Sequence, residues 1–375
     1  MANSSQNKSI MHLHKLLFAI LILLFFSCKK TEQQKINIEK PKFEFGVWTT
    51  ADKDKSNADY AVEFEKYKHA GIDEVLINTK TDPLLLKRIV PIAKEKGLKI
   101  HAWIMTMKRP DDSIALSHPE WYAVSKEGKS CFDTRPYVDY YQWLCPTRKA
   151  SRNHILGLVE ELAKVDGIES VHLDYIRFSD IFLPIGLLPK YNLKQETELP
   201  EFDFCYCDAC ITEFEKVHHK NPLNMKNTSI DMEWKQFRLN AVKRVVDEAY
   251  QIVHKYNKRL TAAVFPYPEM ADHMVRQRWD KWDIDEVYPM IYHGFYNEEI
   301  DWIGFATKQG VQDVKHKGIG VNTGVYLPPF KSANELKTAI LLAKANGAKG
   351  VTFYDGNALK EEHMKMIRTV KKSLE

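Results

Sequence analysis

Eight short runs of apolar, β-branched and aromatic residues are spread along the chain between residues 43 and 354. Most of the runs are continuously apolar rather than alternating, which is typical of parallel strands buried on both faces. The pattern predicts eight strands, at residues 43–49, 74–78, 99–105, 170–175, 259–265, 286–292, 318–325 and 350–354.

Segments with apolar residues at helical spacing lie between these runs. Two of them end within two residues of Gly71 and Gly97, and glycine commonly follows the C-terminus of a helix. The pattern predicts helices at residues 59–70, 83–96, 150–164, 232–256, 334–345 and 359–374.

Strands and helices in this alternation predict an α/β fold, a single (β/α)8 TIM barrel over residues 43–375. A doubly wound open sheet is the alternative, but it would more often have fewer strands. No glycine-rich dinucleotide turn follows the first run. The length of about 330 residues, without a Gly/Ser/Pro-rich linker, is one that barrels reach as one domain.

The spacing of the runs is uneven. About 65 residues separate the third strand from the fourth and about 84 separate the fourth from the fifth, roughly twice what a plain βα unit needs. We therefore expect long inserted loops after strands 3 and 4. Because both insertions precede their helix, they are expected at the face where barrel enzymes keep their active sites.

The N-terminal segment has the pattern of a signal peptide. Lys8, His14 and Lys15 precede an apolar run over residues 16–26, which is too short to span a bilayer as a helix. Ser27 and Cys28 follow, and this arrangement resembles a bacterial lipoprotein signal with Cys28 as the lipidated residue. An uncleaved anchor and an ordinary secretory signal are the alternatives.

This interpretation divides the chain into a signal peptide (1–27), a polar tether (28–42) and the barrel. The protein is then expected at the bacterial cell envelope, anchored by lipid to the outer membrane on its periplasmic or surface face. A flexible tether of this length spans roughly 20 Å on average.

Charge limits the choice of partners. The formal charge of +4 falls to +2 without residues 1–27, since Lys8 and Lys15 are the charged residues of that segment. No basic block remains, so nucleic acid is not expected as a partner. We expect a monomer without an organic cofactor.

Acidic residues at the predicted strand ends are the candidates for catalysis. Asp174 and His172 are expected on one face of strand 4, where an unpaired carboxylate is costly unless it has a function. Glycosidic hydrolysis usually needs two carboxylates, so Asp174 is the candidate nucleophile or base, and Glu269 or Asp355 the candidate acid. Asp174 could instead pair with Arg177 or Lys80, Glu269 could be a solvated loop residue, and Asp355 could serve an Asp-Gly turn. Asp180, Asp203 and Asp208 are further acids in the inserted loops.

Aromatic residues are dense at the same strand ends. Flat rings with a polar tip suit the apolar faces of sugars, although some of these rings could simply fill the barrel. The candidate substrate-binding residues are Trp48, Asn78, Lys80, Trp103, Arg177, Tyr267, Tyr292, His293 and Tyr326.

Three cysteines fall within six residues, Cys205, Cys207 and Cys210. Three thiolates at this spacing can share a tetrahedral zinc ion, with a fourth ligand from elsewhere. Cys145 is preferred as that ligand over Cys131, with His218 or His219 as alternatives. The site would be structural and would tie the two inserted loops together. Disulfides are the alternative, but five cysteines after Cys28 leave one unpaired.

Seven short segments occur along the chain in a fixed order: Gly46-Val47-Trp48, His101-Ala102-Trp103-Ile104, His118-Pro119-Glu120-Trp121, Trp143-Leu144-Cys145-Pro146, His172-Leu173-Asp174-Tyr175, Tyr288-Pro289-Met290-Ile291-Tyr292 and Gly350-Val351-Thr352-Phe353-Tyr354. Their order and spacing resemble the bacterial glycosyl-hydrolase-like barrels known as family ten glycosylhydrolases, many of which are lipoproteins. The resemblance implies a (β/α)8 barrel acting on a polysaccharide, with the Asp174 position as a catalytic carboxylate. Separately, the cysteine spacing is similar to the zinc cluster of β-galactosidases of glycoside hydrolase family forty-two, whose paired catalytic glutamates have no match here.

The sequence thus predicts a lipid-anchored glycoside hydrolase that cleaves a poly- or oligosaccharide at the envelope. A non-catalytic glycan-binding lipoprotein on the same scaffold is the first alternative. A hydrolase that uses the cysteine-bound metal catalytically is the second, although four thiolates leave no open position on zinc.

Overall fold

The computed structural model describes residues 42–374. The predicted signal peptide, Cys28 and nearly all of the predicted tether lie outside the described residues. From Phe43 onward the chain forms one compact unit. Within the described part, no helix combines the length and the apolar character needed to cross a bilayer.

Eight parallel strands close into a barrel in sequence order, with the last strand paired to the first. This confirms the predicted (β/α)8 fold. The strands are β1 (Glu44–Thr50), β2 (Glu74–Asn78), β3 (Lys99–Met105), β4 (Ser170–Asp174), β5 (Arg259–Val264), β6 (Glu286–Pro289), β7 (Gly320–Tyr326) and β8 (Gly350–Tyr354).

Helices alternate with the strands along the chain. In the described part of the chain they are α1 (Asn57–Ala70), α2 (Pro83–Glu95), α3 (Ser113–Leu116), α4 (Lys149–Ala163), α5 (Asp208–His218), α6 (Met232–Lys255), α7 (Pro268–Val275), α8 (Asp301–Val314), α9 (Ala333–Ala345) and α10 (Glu361–Leu374).

The helix boundaries follow local chemistry. Helix α1 begins with a capping box, in which the Ser56 side chain and the Asp59 side chain each accept from the other residue's backbone amide. It ends at Gly71, whose φ of 90° is in the left-handed region that favours glycine. At the start of α2, Asp82 caps the first turn and Pro83 occupies the first helical position.

The boundaries differ from the predicted ones mainly near the sixth strand. Strand β6 ends at Pro289 rather than continuing to residue 292, because the chain turns into a short 3-10 helix at His293–Phe295. Helix α8 carries apolar residues at helical spacing but was not among the predicted helices.

Two layers of apolar residues form the core. The larger layer lies between the strands and the helices, and the smaller one fills the barrel with Trp48, Leu76, Trp103, Ala263 and Tyr288. The two tryptophans lie close to the carboxyl ends of their strands, so the inner layer forms the floor of the space at the carboxyl face of the barrel.

The long insertions occupy residues 106–148, between β3 and α4, and residues 175–231, between β4 and α6. Each begins where a strand ends, so both belong to the carboxyl face of the barrel. They meet through an antiparallel bridge between Ser125 and Phe204. This places two segments with little regular structure side by side above the strands.

Candidate active site

A cavity of about 340 Å³ opens at the carboxyl ends of the strands. Its floor comes from the barrel, including Trp48, Trp103 and Asp174, and its wall comes from both insertions. Most of the lining side chains are aromatic, and two carboxylates, Asp174 and Asp180, line it among the described residues. A deep aromatic cavity with few polar groups at this face of a barrel is the expected form of a ligand site.

Asp174 ends β4 and points into the cavity, with 7% of its surface exposed. Its Oδ1 accepts from the Tyr175 amide at 2.6 Å and its Oδ2 from Trp103 Nε1 at 3.1 Å. Burial nevertheless raises the pKa of Asp174 above its usual value, with these bonds and the nearby Arg177 and Lys108 charges acting in the opposite direction. The site therefore holds a carboxyl group that retains its proton to higher pH than an exposed aspartate.

Asp180 lies in the second insertion and is 3% exposed. Its Oδ2 is 3.2 Å from Arg177 Nη1, which forms an ion pair within the cavity wall. The Arg177 guanidinium also faces the rings of Trp143 and Phe265, each at 4.9 Å from the ring centroid. The contact with Arg177 fixes the position of the Asp180 carboxyl group beside a guanidinium, which is a different environment from that of Asp174.

Hydrogen bonds below the floor orient Trp48. Its indole Nε1 donates to His172 Nε2 at 3.1 Å, and His172 Nδ1 lies 2.9 Å from Thr261 Oγ1. Burial lowers the pKa of His172 well below its usual value, so the ring is neutral and its proton is on Nδ1. His172 thus fixes a ring of the floor rather than lining the cavity itself.

Three tyrosines form one side of the cavity. Tyr292 stacks on Tyr354 with ring centroids 5.9 Å apart, and Tyr326 lies 5.6 Å from Tyr292 and 5.9 Å from Tyr354. They come from the ends of β6, β7 and β8. The result is a flat apolar surface with hydroxyl groups, which suits stacking against a sugar ring.

The insertions supply the opposite side. Tyr137, Tyr140 and Tyr141 come from the first insertion, and Leu183, Leu187 and Tyr191 from the second. Tyr137 stacks on Phe202 at 4.1 Å and donates its hydroxyl proton to the Asp180 carbonyl at 2.8 Å. This pair couples the two insertions at the cavity wall.

The structure brings half of the twelve candidate catalytic and substrate-binding residues to the cavity. Six of them line the cavity: Trp48, Trp103, Asp174, Arg177, Tyr292 and Tyr326. Asn78 and Lys80 line a neighbouring groove of about 610 Å³, which shares Met105 and Tyr140 with the cavity.

Four candidates line neither the cavity nor the groove: Glu269, Asp355, Tyr267 and His293. Tyr267 packs edge-on against Phe305, with ring centroids 6.0 Å apart. His293 is buried against Phe330, with ring centroids 5.0 Å apart.

Local structure explains why the two candidate acids, Glu269 and Asp355, lie outside the cavity. Helix α7 begins at Pro268, directly after β5, and its first turn leaves Glu269 exposed to solvent. The Asp355 side chain accepts from the Asn357 and Ala358 amides, which is the Asp-Gly turn that the sequence left open as an alternative. Neither carboxylate lines the cavity that contains Asp174, whereas Asp180 does.

Several lining residues were not identified from the sequence, among them Lys108, Tyr175 and Tyr296. Tyr175 has a φ of 51°, in the left-handed region, at the point where the chain leaves β4. Its position directly after Asp174 was the available signal. Lys108 and Tyr296 lie beyond strand ends, where periodicity gives no orientation.

Four cysteines converge between the insertions. The Sγ atoms of Cys145, Cys205, Cys207 and Cys210 all lie within 4.8 Å of one another, and all four residues are buried. Cys145 Sγ is 3.5 Å from both Cys207 Sγ and Cys210 Sγ. A tetrahedral zinc with bonds of about 2.3 Å separates its sulfurs by about 3.8 Å, whereas a disulfide requires about 2.05 Å.

All five cysteines of the described residues are free of disulfides. Cys131 lies outside the cluster, where its Sγ contacts the backbone nitrogen and oxygen of Trp143, each at 3.2 Å. The donor set of the cluster therefore contains the four cysteines that the sequence preferred.

A buried ion pair lies beside the cluster. Arg238 of α6 is fully buried and pairs with Asp203, and Asp203 also accepts the hydroxyl proton of Tyr206 at 2.5 Å. Tyr206 in turn accepts from Trp234 Nε1 at 3.1 Å. These contacts fix the second insertion to α6, since the segment has little regular structure of its own.

Comparisons with known proteins agree with this architecture. No curated protein matches the chain at a significant level. Among solved structures, the chain is similar to a β-galactosidase from the psychrophilic Marinomonas ef1, with a TM-score of 0.63 and 11% identity over 88% of this chain and 59% of that one. The chain thus spans less than two thirds of that enzyme.

Two further similar structures are covered by this chain over a larger share of their own length. The catalytic domain of a β-amylase from Paenibacillus polymyxa gives a TM-score of 0.62 and 12% identity over 89% of this chain and 99% of that one. The endo-β-1,4-mannanase from Thermotoga petrophila gives a TM-score of 0.56 and 14% identity over 90% of this chain and 77% of that one. At these identities the likeness shows the shared fold.

Family assignment comes from the sequence model DUF4015, which matches residues 51–317 and therefore most of the barrel. The match covers β2 to β6 and both insertions, including Asp174, Asp180 and the four clustered cysteines. The resemblance to family ten glycosylhydrolases stays a prediction beside it. The chain belongs to the DUF4015 family, whose description is "Putative glycosyl hydrolase domain".

Proposed function

We propose that this protein hydrolyses glycosidic bonds of a poly- or oligosaccharide, with Asp174 and Asp180 as its two carboxylates. The observation that carries the proposal is their position: both line one aromatic cavity at the carboxyl face of the barrel. Hydrolysis through an oxocarbenium-like transition state needs a carboxyl group on each side of the scissile bond.

Their environments suggest separate roles. Asp174 has a raised pKa because it is buried, which suits the acid that protonates the leaving oxygen. Asp180 is paired with the Arg177 guanidinium, an arrangement that suits the nucleophile or base. The proposal differs from the prediction from sequence in two ways. Asp174 becomes the acid rather than the nucleophile or base, and Asp180 takes the place of Glu269 and Asp355 as the second carboxyl group.

The aromatic surfaces would bind the sugars. The Tyr292, Tyr326 and Tyr354 cluster and the rings of the insertions face the cavity from opposite sides. Sugar rings placed between them would present apolar faces to the rings and hydroxyl groups to the polar tips.

We further propose that the four clustered cysteines bind one structural zinc ion. Their mutual distances fit tetrahedral coordination, and four thiolates leave no position open for water. None of the four lines the cavity, so the metal would hold the insertions in place rather than take part in hydrolysis.

The location of the protein is proposed from the N-terminal sequence. Lipidation at Cys28 would anchor the barrel at the bacterial cell envelope, on the periplasmic or surface face of the outer membrane. The glycan would then have to reach the envelope or be part of it.

The proposal is tested by incubating the full-length protein with a panel of polysaccharides and measuring new reducing ends. We expect release from at least one polymer, and a loss of about 100-fold or more in Asp174→Asn and in Asp180→Asn. Glu269→Gln is the matched carboxylate outside the cavity and should keep its activity. Undiminished release by Asp174→Asn would contradict the proposal, and binding without release would favour the glycan-binding alternative.

A further inference from the structure

Lys108 lies between the cavity and the neighbouring groove, three residues after the end of β3. It is 8% exposed, and its Nζ faces the rings of Tyr175 and Tyr140 at 4.2 and 4.7 Å from their centroids. The ammonium group makes no hydrogen bond or ion pair with any residue in the described part of the chain. A buried lysine without a counterion is uncommon, because burial of a charge is costly.

The other charged residues around Lys108 are already engaged. Arg109 pairs with Asp112 at 2.7 Å, and Asp112 also lies 2.8 Å from His154 Nε2. Arg177 pairs with Asp180 in the cavity. Asp111 lies at the groove and favours the charged form of Lys108, but it is exposed to solvent, makes no ion pair with Lys108 and is the smallest of the charge effects on it.

The two aromatic rings offset only part of the cost of this burial. Cation–π contacts contribute about 0.5–2 kcal/mol, and they leave the donors of the ammonium group unused. Burial lowers the pKa of Lys108, and the nearby Asp174 opposes this shift but is itself engaged with Trp103 and Tyr175. The groove therefore presents an unpaired positive charge beside the candidate catalytic carboxyl group.

A second lysine stands at the groove's outer edge. Lys80 follows β2 and is exposed, and its backbone has a φ of 54° that a hydrogen bond from its amide to Asn78 Oδ1 stabilises. Both lysines line the same groove, which shares Met105 and Tyr140 with the cavity. The two spaces therefore adjoin, so that a glycan bound in the cavity lies next to the groove.

We propose that this groove binds an anionic substituent of the glycan, a carboxylate or a sulfate, through Lys108, with Lys80 at the outer edge. The inference rests on the proposed function, since it takes the cavity at Asp174 as the place of the scissile bond. It narrows the substrate to acidic polysaccharides. Lysine acts as a compact point charge, so either anion fits the chemistry of the site.

The test measures binding by calorimetry to the full-length Asp174→Asn protein, which leaves the ligand intact. Tetragalacturonate is compared with its methyl ester, and a sulfated carrageenan tetrasaccharide with its desulfated form. We expect at least one acidic ligand to bind about 10- to 100-fold more tightly than its neutral match, as for hydrogen bonds to charged groups. Which pair shows the difference identifies the anion.

Adding Lys108→Met should remove this preference and leave the neutral ligand unaffected, whereas Lys108→Arg should keep part of it. Lys337→Met, at an exposed lysine of α9, is the matched control and should keep the full preference. If Lys108→Met does not fold, the salt dependence of binding to the Asp174→Asn protein tests the inference instead. The acidic ligand should lose affinity between about 0.05 and 0.5 M NaCl, and the neutral ligand should not.

Two results would overturn the inference: equal affinity for the acidic and neutral forms, or a preference that survives Lys108→Met. Cleavage is measured separately on the same glycans. Asp174-dependent cleavage of a neutral glycan without any charge preference would leave the proposed function standing and reject the anion site. Lys108-dependent binding of an acidic glycan that the wild-type protein does not cleave would support the anion site and reject the proposed function.

Discussion

The indole Nε1 of Trp103 donates a hydrogen bond of 3.1 Å to Oδ2 of Asp174, at the floor of an aromatic cavity. The two residues lie on neighbouring strands, Asp174 at the end of β4 and Trp103 two residues before the end of β3, where Met105 is the register partner of Asp174. The bond stabilises the charged form of a carboxyl group whose pKa is raised by burial. Trp103 is therefore one of the groups that lower the Asp174 pKa against the effect of burial, beside the Tyr175 amide, Arg177 and Lys108.

Replacing Trp103 by Phe should move the pH dependence of hydrolysis. Loss of the donor raises the pKa of Asp174 further, because the bond favours the ionised carboxylate. If Asp174 is the acid, the alkaline limb of the rate profile should shift to higher pH. The measurement is kcat/KM against pH on a cleaved glycan.

Trp121→Phe is the matched control for this change, since Trp121 lies in the first insertion and stacks on His118. Its profile should follow the wild type. An alkaline limb of Trp103→Phe that moves to lower pH would contradict the proposed role of the bond.

The effect of Asp174→Asn on the free energy of unfolding should depend on pH. The folded chain binds the Asp174 proton more tightly than the unfolded chain, because burial raises its pKa. The wild-type residue therefore favours folding most below the ordinary aspartate pKa of about 3.9, and loses that contribution as pH rises through the raised value. Asn does not ionise, so the Tm of the variant minus that of wild type should increase between about pH 4 and pH 8. A difference that decreases with pH would count against a buried, protonated Asp174.

Cys207→Ser should release the proposed zinc and loosen both insertions. Elemental analysis should give one zinc per wild-type chain and little in the variant. A loss of about 5 kcal/mol corresponds to a Tm lower by about 10 °C in a domain of this size. Cys131→Ser should keep its zinc, since Cys131 lies outside the cluster. Zinc-free wild type with paired thiols would favour the disulfide alternative.

Asp203→Ala should destabilise the fold strongly. It leaves Arg238, which is fully buried, without its counterion, and breaking a buried pair in this way costs about 3–5 kcal/mol. Glu161→Ala, which removes an exposed partner of Lys164, should cost less than about 1 kcal/mol. Chemical denaturation of both variants compares them directly, and equal effects would contradict the structural role of the buried pair.

The sequence predicted the barrel because its strands are buried on both faces. The runs at β2, β3 and β8 have the predicted bounds, since their apolar residues stop where the chain leaves the core. Asp174 was identifiable for a related reason: alternation along β4 sends it inward with His172, where an acid is unexpected.

The second carboxylate was harder to predict because residues beyond a strand end follow local turn chemistry. Helix α7 begins at Pro268 and turns Glu269 outward, while Asp355 caps its own turn. Asp180 and Lys108 reach the site through the insertions, whose paths depend on contacts such as those of Tyr137 with Phe202 and Asp180. Hydrophobic periodicity carries no information about such paths.

The central claim is that Asp174 donates the proton to the leaving group of a glycoside. It is tested most directly by comparing Asp174→Asn with wild type on a cleaved glycan and on the corresponding dinitrophenyl glycoside. We predict a loss of about 1,000-fold on the natural glycan and less than about 10-fold on the dinitrophenyl glycoside, whose leaving group needs no proton. Equal losses on both substrates, or unchanged turnover of the natural glycan, would contradict the account.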